Sequence, residues 1–338
     1  MDERPCYYVA EFMWSDRNTD SDLTVICNGK RFYITLSADD FEESPSIKES
    51  YIHYLQVAEA FELDGLTVDD FYDWALEPFL PIFRDVPPLV GHQTLQQYLF
   101  PETVVYALRA VKGELVPFLN TQGHFNRLPN GVLLNQELCS PWPSFYPQQV
   151  QLCDDTPEEA PTCPQKKVLV NGNTCFFKAY HVGDYRSAKE ELSNYKSIEE
   201  AGLEQELRIS RLYGLVRDDD SGRIYGLLLS YIDCRNVTLA CAMKPTTPSH
   251  LQQQWASQIT HTLNRLHNAG IVWGDVKPDN VLIDVNKDSW IIDFGGSYTE
   301  GWVEKEIAGT VQGDLQGLAK ILEYLGTGSH VEIKTAEN

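Results

Sequence analysis

The sequence predicts an α+β protein in two parts. An α+β segment covers residues 1–140, and a two-lobed α+β domain covers 148–326, with lobes at about 148–233 and 245–326. Three observations predict this. Alternating apolar runs joined by turn residues recur between 166 and 232 and give way to a long amphipathic helical pattern from 249. The first 110 residues mix a strand-turn-strand signal with helical periodicity. Between them, residues 139–164 carry six prolines and a run of acids, a composition that packs poorly and marks a boundary followed by an acidic loop.

In the N-terminal segment, Leu23 to Leu36 reads as two strands around Asn28-Gly29, a preferred hairpin turn pair. A helix is expected from Pro45, with Ile47, Tyr51, Tyr54, Leu55 and Ala58 on one side. Thr67 opens another, with Phe71, Trp74 and Leu76 apolar, and Pro78, Pro81, Pro87 and Pro88 are expected to break it up. Val104 to Ala110 is strand-like.

In the second part, a strand-turn-strand starts at Lys166 and turns at Asn171-Gly172-Asn173. A helix follows from about Ser187, then strands around Ile209–Val216 and Ile224–Ile232. The turn Asp218-Asp219-Asp220-Ser221-Gly222 lacks the alternating ligands and closing Glu of a calcium loop and reads as a solvated turn. Leu251, Trp255, Ile259, Leu263 and Leu266 form the buried stripe of a helix that Gly270 ends. A last helix near Asp314 presents Leu315, Leu318, Ile321, Leu322 and Leu325, and Gly326 stops it; the final dozen residues read as frayed.

Composition narrows the function. The chain has 338 residues, 43% of them hydrophobic, and a formal net charge of −22. That charge argues against nucleic acid and against anionic membrane surfaces as partners, since both attract basic stripes. Eight cysteines are scattered without a Cys-x-x-Cys pair, which suits a reducing compartment, so cytoplasm or nucleus is expected. Cys153 and Cys163 flank one loop and could pair if oxidised, though a pair of inert thiols is the preferred reading. No stretch of 18 apolar residues is present.

The chemistry concentrates between Trp273 and Gly295. Asp275, Lys277 and Asn280 share one loop, and Asp293 follows Asn280 by 13 residues across a short hairpin signal. Such spacing gathers four polar groups around one point. Together they can orient a hydroxyl, steady a phosphate and offer oxygens to Mg²⁺, a hard cation. Upstream, Lys178 lies on an alternating, half-buried strand and needs a partner or ligand. Glu191, 13 residues later on the next helix, can pair with it. Its neighbour Glu190 points about 100° away. Choosing Glu191 places Leu192, Tyr195 and Ile198 on the inward face.

These residues resemble the protein-kinase-like superfamily, over about residues 148–326. The family's catalytic loop, His-Arg-Asp-Leu-Lys-x-x-Asn, stands here as Trp273-Gly274-Asp275-Val276-Lys277-Pro278-Asp279-Asn280, and its Asp-Phe-Gly as Asp293-Phe294-Gly295. The resemblance implies ATP and Mg²⁺ as cofactors and phosphoryl transfer to a hydroxyl, with a Lys-Pro pair like that of Ser/Thr-type kinases. It gives Asp275 and Lys277 catalytic roles, Asn280 and Asp293 the metal, and Lys178 with Glu191 the nucleotide phosphates. Leu229 would back the adenine, with Ser230, Tyr231 and Ile232 as the connector that binds its edge. Asp314 resembles the buried Asp that braces the catalytic loop.

Three features depart from the family. The hairpin expected to cover the phosphates, Val150 to Val168, carries an acidic, Pro-rich loop instead of Gly-x-Gly-x-x-Gly. Gly274 replaces the Arg that pairs with a phosphorylated activation loop. Asp314 follows Asp293 by only 21 residues, with no Ala-Pro-Glu between, so a truncated C-lobe is expected. Three readings stay open: a protein kinase of Ser/Thr type, a small-molecule kinase of the same superfamily, and a kinase-fold binding module with little catalysis. The acceptor is accordingly a protein or small-molecule hydroxyl.

Overall fold

The computed structural model describes residues 5–89, 91, 93–121, 130–153, 167–181, 183–218, 220–296 and 298–327. The chain forms two compact units. One comprises residues 1–128 and 150–165, the other 129–149 and 166–338. Residues 129–149, which straddle the expected boundary, belong to the second unit because Val132–Leu133 and Ser144–Phe145 pair with its strands.

The first unit is a five-stranded sheet with helices. Its strands are β1 (Tyr7–Trp14), β2 (Ser21–Cys27), β3 (Lys30–Leu36), β4 (Thr103–Val111) and β5 (Glu114–Leu119), ordered as numbered. The Asn28-Gly29 hairpin joins β2 to β3 in antiparallel register. β3 and β4 run parallel, so the helical crossover α1 (Pro45–Ala60) and α2 (Val68–Leu76) lies between them. Thr67 and Asp70 cap α2 reciprocally. As expected, the helical run breaks up at Pro78 and Pro81. Each sits in the first turn of a short helix, Glu77–Phe79 and Leu80–Arg84, where a missing N–H costs no bond. Phe32, Phe41, Tyr51, Phe71, Phe79 and Phe83 fill an aromatic core. β1 and β5, at the edges of the sheet and only part-buried, lacked a readable sequence signal.

In the second unit, β6 (Lys167–Val170) and β7 (Asn173–Ala179) form a hairpin. β7 pairs with β9 (Arg223–Ser230), which pairs with β8 (Leu212–Arg217). Helix α3 (Tyr185–Glu200) buries Ala188, Leu192, Tyr195 and Ile198. Helices α4 (Ser249–Asn268) and α5 (Val311–Tyr324) and the hairpin β10 (Val281–Ile283) and β11 (Ser289–Ile291) complete it. One continuous core links Leu192 and Tyr195 of α3 with Trp273, Phe294 and Leu318. Backbone bonds from Ser210 to Ile291 and from Ile291 to Arg208 tie the segment entering β8 to β11. The unit thus has the α+β, kinase-like fold that the sequence predicts. The acidic loop and the C-terminal tail lie outside the described residues, apart from Cys153 and Thr327 at their edges.

Candidate active site

The loop bearing Asp275 is fixed from beneath. Asp314, 1% exposed on α5, accepts the backbone N–H groups of Trp273 at 2.7 Å and Gly274 at 2.8 Å, and meets His267 Nε2 at 2.8 Å. A carboxylate this buried is tolerable only because its lone pairs are so engaged. Gly317 lets α5 approach closely, since a Cβ there would lie 2.6 Å from that of Val276. Trp273, fully buried, donates its indole N–H to Ile292 O at 2.8 Å and so ties this loop to the segment holding Asp293. Gly274 has φ +88, and a Cβ on it would stand 3.3 Å from Gly296 Cα. The Arg that the family places here would be strained in this backbone.

Asp275 is buried and its carboxylate is held on both oxygens. Oδ2 accepts from Asn280 Nδ2 at 2.8 Å and pairs with Lys277 Nζ at 2.7 Å, while Oδ1 accepts from the Thr299 hydroxyl at 3.1 Å. Lys277 also donates to Thr299 Oγ1 at 3.0 Å. Asn280 donates to Asp275 O as well, at 2.9 Å. Thr299 is a member of this cluster that sequence reasoning missed. It stands six residues past Asp293 in a loop without periodicity, so no pattern marks it.

Lys178 anchors a second cluster. Its ammonium lies 2.9 Å from Glu191 Oε1 and 2.8 Å from Asp293 Oδ1. Burial would lower the Lys178 pKa, but the two carboxylates outweigh it and hold the pKa above its ordinary value. Glu191, on the inward face of α3, has its pKa raised by burial, against the pull of Lys178 and with the push of Asp293. Glu190 instead points outward to Arg186. Asp293 has φ +63, an uncommon conformation for a side-chain-bearing residue, and its Oδ1 also accepts from Gly295 N at 3.3 Å. Phe294 is buried and meets the Tyr195 ring edge-on at 5.5 Å. Asn194 Nδ2 donates to Phe294 O at 2.8 Å, so α3 and the Asp293 segment are fastened together twice. Asn194 too was missed, being one polar residue among several on that helix.

The remaining site residues lie along β9 and the connector after it. Leu229 is buried beside Phe176 on β7. Ser230 exchanges backbone and hydroxyl bonds with Arg211. The Tyr231 ring stacks under Lys167 at 4.9 Å. The Ile232 carbonyl accepts from Cys234 N, and the Ile232 N–H has no protein partner among the described residues.

The chemistry of the donors fits Mg²⁺. Asn280 commits its NH₂ to Asp275, which turns Oδ1 outward, and Asp293 Oδ2 has no partner among the described residues. Two hard oxygens suit an ion that draws its other ligands from phosphate and water. Among the described residues no group of three or more His, Cys, Asp or Glu is placed to hold a metal ion.

Residues 177–312 match the protein kinase domain family. Serine/threonine-protein kinase MRCK gamma of Homo sapiens is 33% identical over 92 residues, 26% of this chain and 6% of that protein. Serine/threonine-protein kinase PKH1 of Saccharomyces cerevisiae is 32% identical over 124 residues, 36% of this chain and 14% of that protein. Serine/threonine-protein kinase LATS2 of Mus musculus is 29% identical over 87 residues, 26% and 8%. The chain thus spans a small fraction of the length of these curated relatives, and no helix among its described residues is long and apolar enough to cross a membrane. With the catalytic-loop and Asp-Phe-Gly residues inside the matched span, this part of the chain belongs to the protein-kinase-like superfamily.

Proposed function

We propose that the protein catalyses ATP- and Mg²⁺-dependent phosphoryl transfer to a Ser or Thr hydroxyl of a protein. The observation that carries this reading is the convergence on Lys178, which binds Glu191 and Asp293 from two remote segments and joins the nucleotide strand to the metal residue. That arrangement is an assembled one, with α3 packed inward and Phe294 seated on Tyr195. The names of the three relatives given above, each a serine/threonine-protein kinase, favour that acceptor.

In this reading Lys178 binds the α- and β-phosphates, and Glu191 keeps its ammonium aimed at them. Leu229 lies behind the adenine, and the connector Ser230–Ile232 offers its edge backbone groups, among them the Ile232 N–H. Asn280 and Asp293 would hold Mg²⁺, which when bound neutralises charge developing on the phosphate oxygens. Asp275 orients the incoming hydroxyl and accepts its proton, and Lys277 stands by the moving phosphoryl group. Thr299 keeps Asp275 and Lys277 in register.

Transfer of ³²P from labelled ATP to a mixed protein acceptor tests the assignment. Asp275→Asn should lower the rate by about 10²–10⁴-fold while leaving nucleotide affinity unchanged. Equal transfer by both proteins would refute the role of Asp275.

A further inference from the structure

The first unit carries a surface that phosphoryl transfer does not use. β1 is an edge strand, paired on one side by β2, and among the described residues no strand pairs with its outer side. An edge strand turns alternate N–H and C=O groups outward, ready to receive another chain. Along it runs a groove of about 310 Å³ between β1 and the ends of α1 and α2. Phe12, Trp14, Phe61 and Tyr72 line it. Phe61 is 85% exposed and Trp14 44%. Apolar rings in water along an edge strand are costly and aggregation-prone unless something covers them.

Charge says what kind of segment covers them. From residue 49 to 83, the stretch that forms the helical wall of the groove, there are eight Asp or Glu and no Lys or Arg. Glu59, Glu62, Asp69 and Asp73 are exposed there, beside Ala58, Phe61, Val68 and Tyr72 of the lining. Glu11 adds a carboxylate from the strand side. A second extended segment with acidic residues would be repelled, whereas one carrying Lys or Arg between apolar residues would meet both features.

We propose that this groove binds an extended, basic and apolar segment of a partner protein, which adds as a strand beside β1, places apolar side chains against Trp14 and Phe61, and sets cations by Glu59 and Glu62. Phosphoryl transfer has no part in this binding. Its test needs no ATP, so either can fail alone.

The test selects 12-residue displayed peptides against the full chain, then measures fluorescein-labelled winners by polarisation. Lys, Arg and branched or aromatic apolar residues should be enriched and Asp and Glu depleted. Binding should weaken at least tenfold on Trp14→Ser with Phe61→Ser, at least tenfold on Glu59→Lys with Glu62→Lys, and as salt rises for the wild type. All four positions are exposed, and circular dichroism checks that each variant folds. No peptide above the no-protein control, acidic winners, or equal binding by all variants would overturn the proposal. A concentration-dependent dimer lost in Phe61→Ser, seen by sedimentation, would overturn it in favour of a second copy of this chain.

Discussion

Two charge clusters sit within the kinase-like unit, and they are built differently. Around Asp275 the formal charges cancel: one carboxylate faces one ammonium, and an amide and a hydroxyl satisfy the rest. Around Lys178 they do not cancel, because one ammonium faces two carboxylates, Glu191 and Asp293. In the proposed function the first cluster fixes the geometry of Asp275 and Lys277 and leaves Asn280 Oδ1 for Mg²⁺. The second keeps an excess of negative charge in a part-buried place; burial is the main cause of the raised pKa of Glu191, and the push of Asp293 adds to it. In the proposed function the balanced cluster positions the reacting groups and the unbalanced one receives a cation.

The difference can be broken from either side. The largest effect is expected at Lys178. Lys178→Met leaves Glu191 and Asp293 without their shared cation, so ³²P transfer should fall more than a hundredfold. Stability to thermal or urea unfolding should fall by about 1–3 kcal/mol, solvent at the site screening part of the loss. Adding Glu191→Gln to that variant should return most of the stability and none of the transfer. Recovery of both would mean that Lys178 serves packing alone.

A smaller effect is expected at the balanced cluster. Thr299→Ala removes a hydroxyl that both Asp275 and Lys277 use, and should slow transfer by about tenfold to a hundredfold with KM for ATP unchanged. Thr299→Ser should restore most of the rate, because the hydroxyl alone does the bridging. If the serine variant behaved like alanine, the methyl packing and not the hydrogen bonds would matter.

The smallest effect is a pH dependence. Between the ordinary carboxylate pKa and the raised pKa of Glu191, the folded chain holds a proton that the unfolded chain has lost. Stability therefore falls as pH rises across that window. Urea titrations at a series of pH values should show this fall in the wild type and a shallower one in Glu191→Gln. Identical slopes would contradict the raised pKa of Glu191.

The sequence made some of this legible and not the rest, for physical reasons. Asp275, Lys277, Asn280 and Asp293 lie close together along the chain, so spacing alone places them on one loop and one hairpin. Glu191 was separable from Glu190 because helical periodicity ties it to Leu192, Tyr195 and Ile198, which are buried as expected. Thr299 and Asn194 act through tertiary contacts that no period encodes. In the first unit, the β2–β3 hairpin and α1 announced themselves by turn chemistry and periodicity. Strands β1 and β5 did not, since edge strands bury too little for a clean alternation. The charge asymmetry of residues 49–83 stands in the sequence, yet its meaning needed the exposed rings of Trp14 and Phe61 beside it.

The central claim is that the Lys178 cluster is made to receive Mg²⁺ with nucleotide. Calorimetric titration of ATP into the full chain, with and without Mg²⁺, tests it most directly when wild type and Asp293→Ala are compared. Mg²⁺ should tighten ATP binding to the wild type by at least tenfold and leave Asp293→Ala nearly unaffected. ATP binding that ignores Mg²⁺ in the wild type, or responds to it equally in both proteins, would contradict the account.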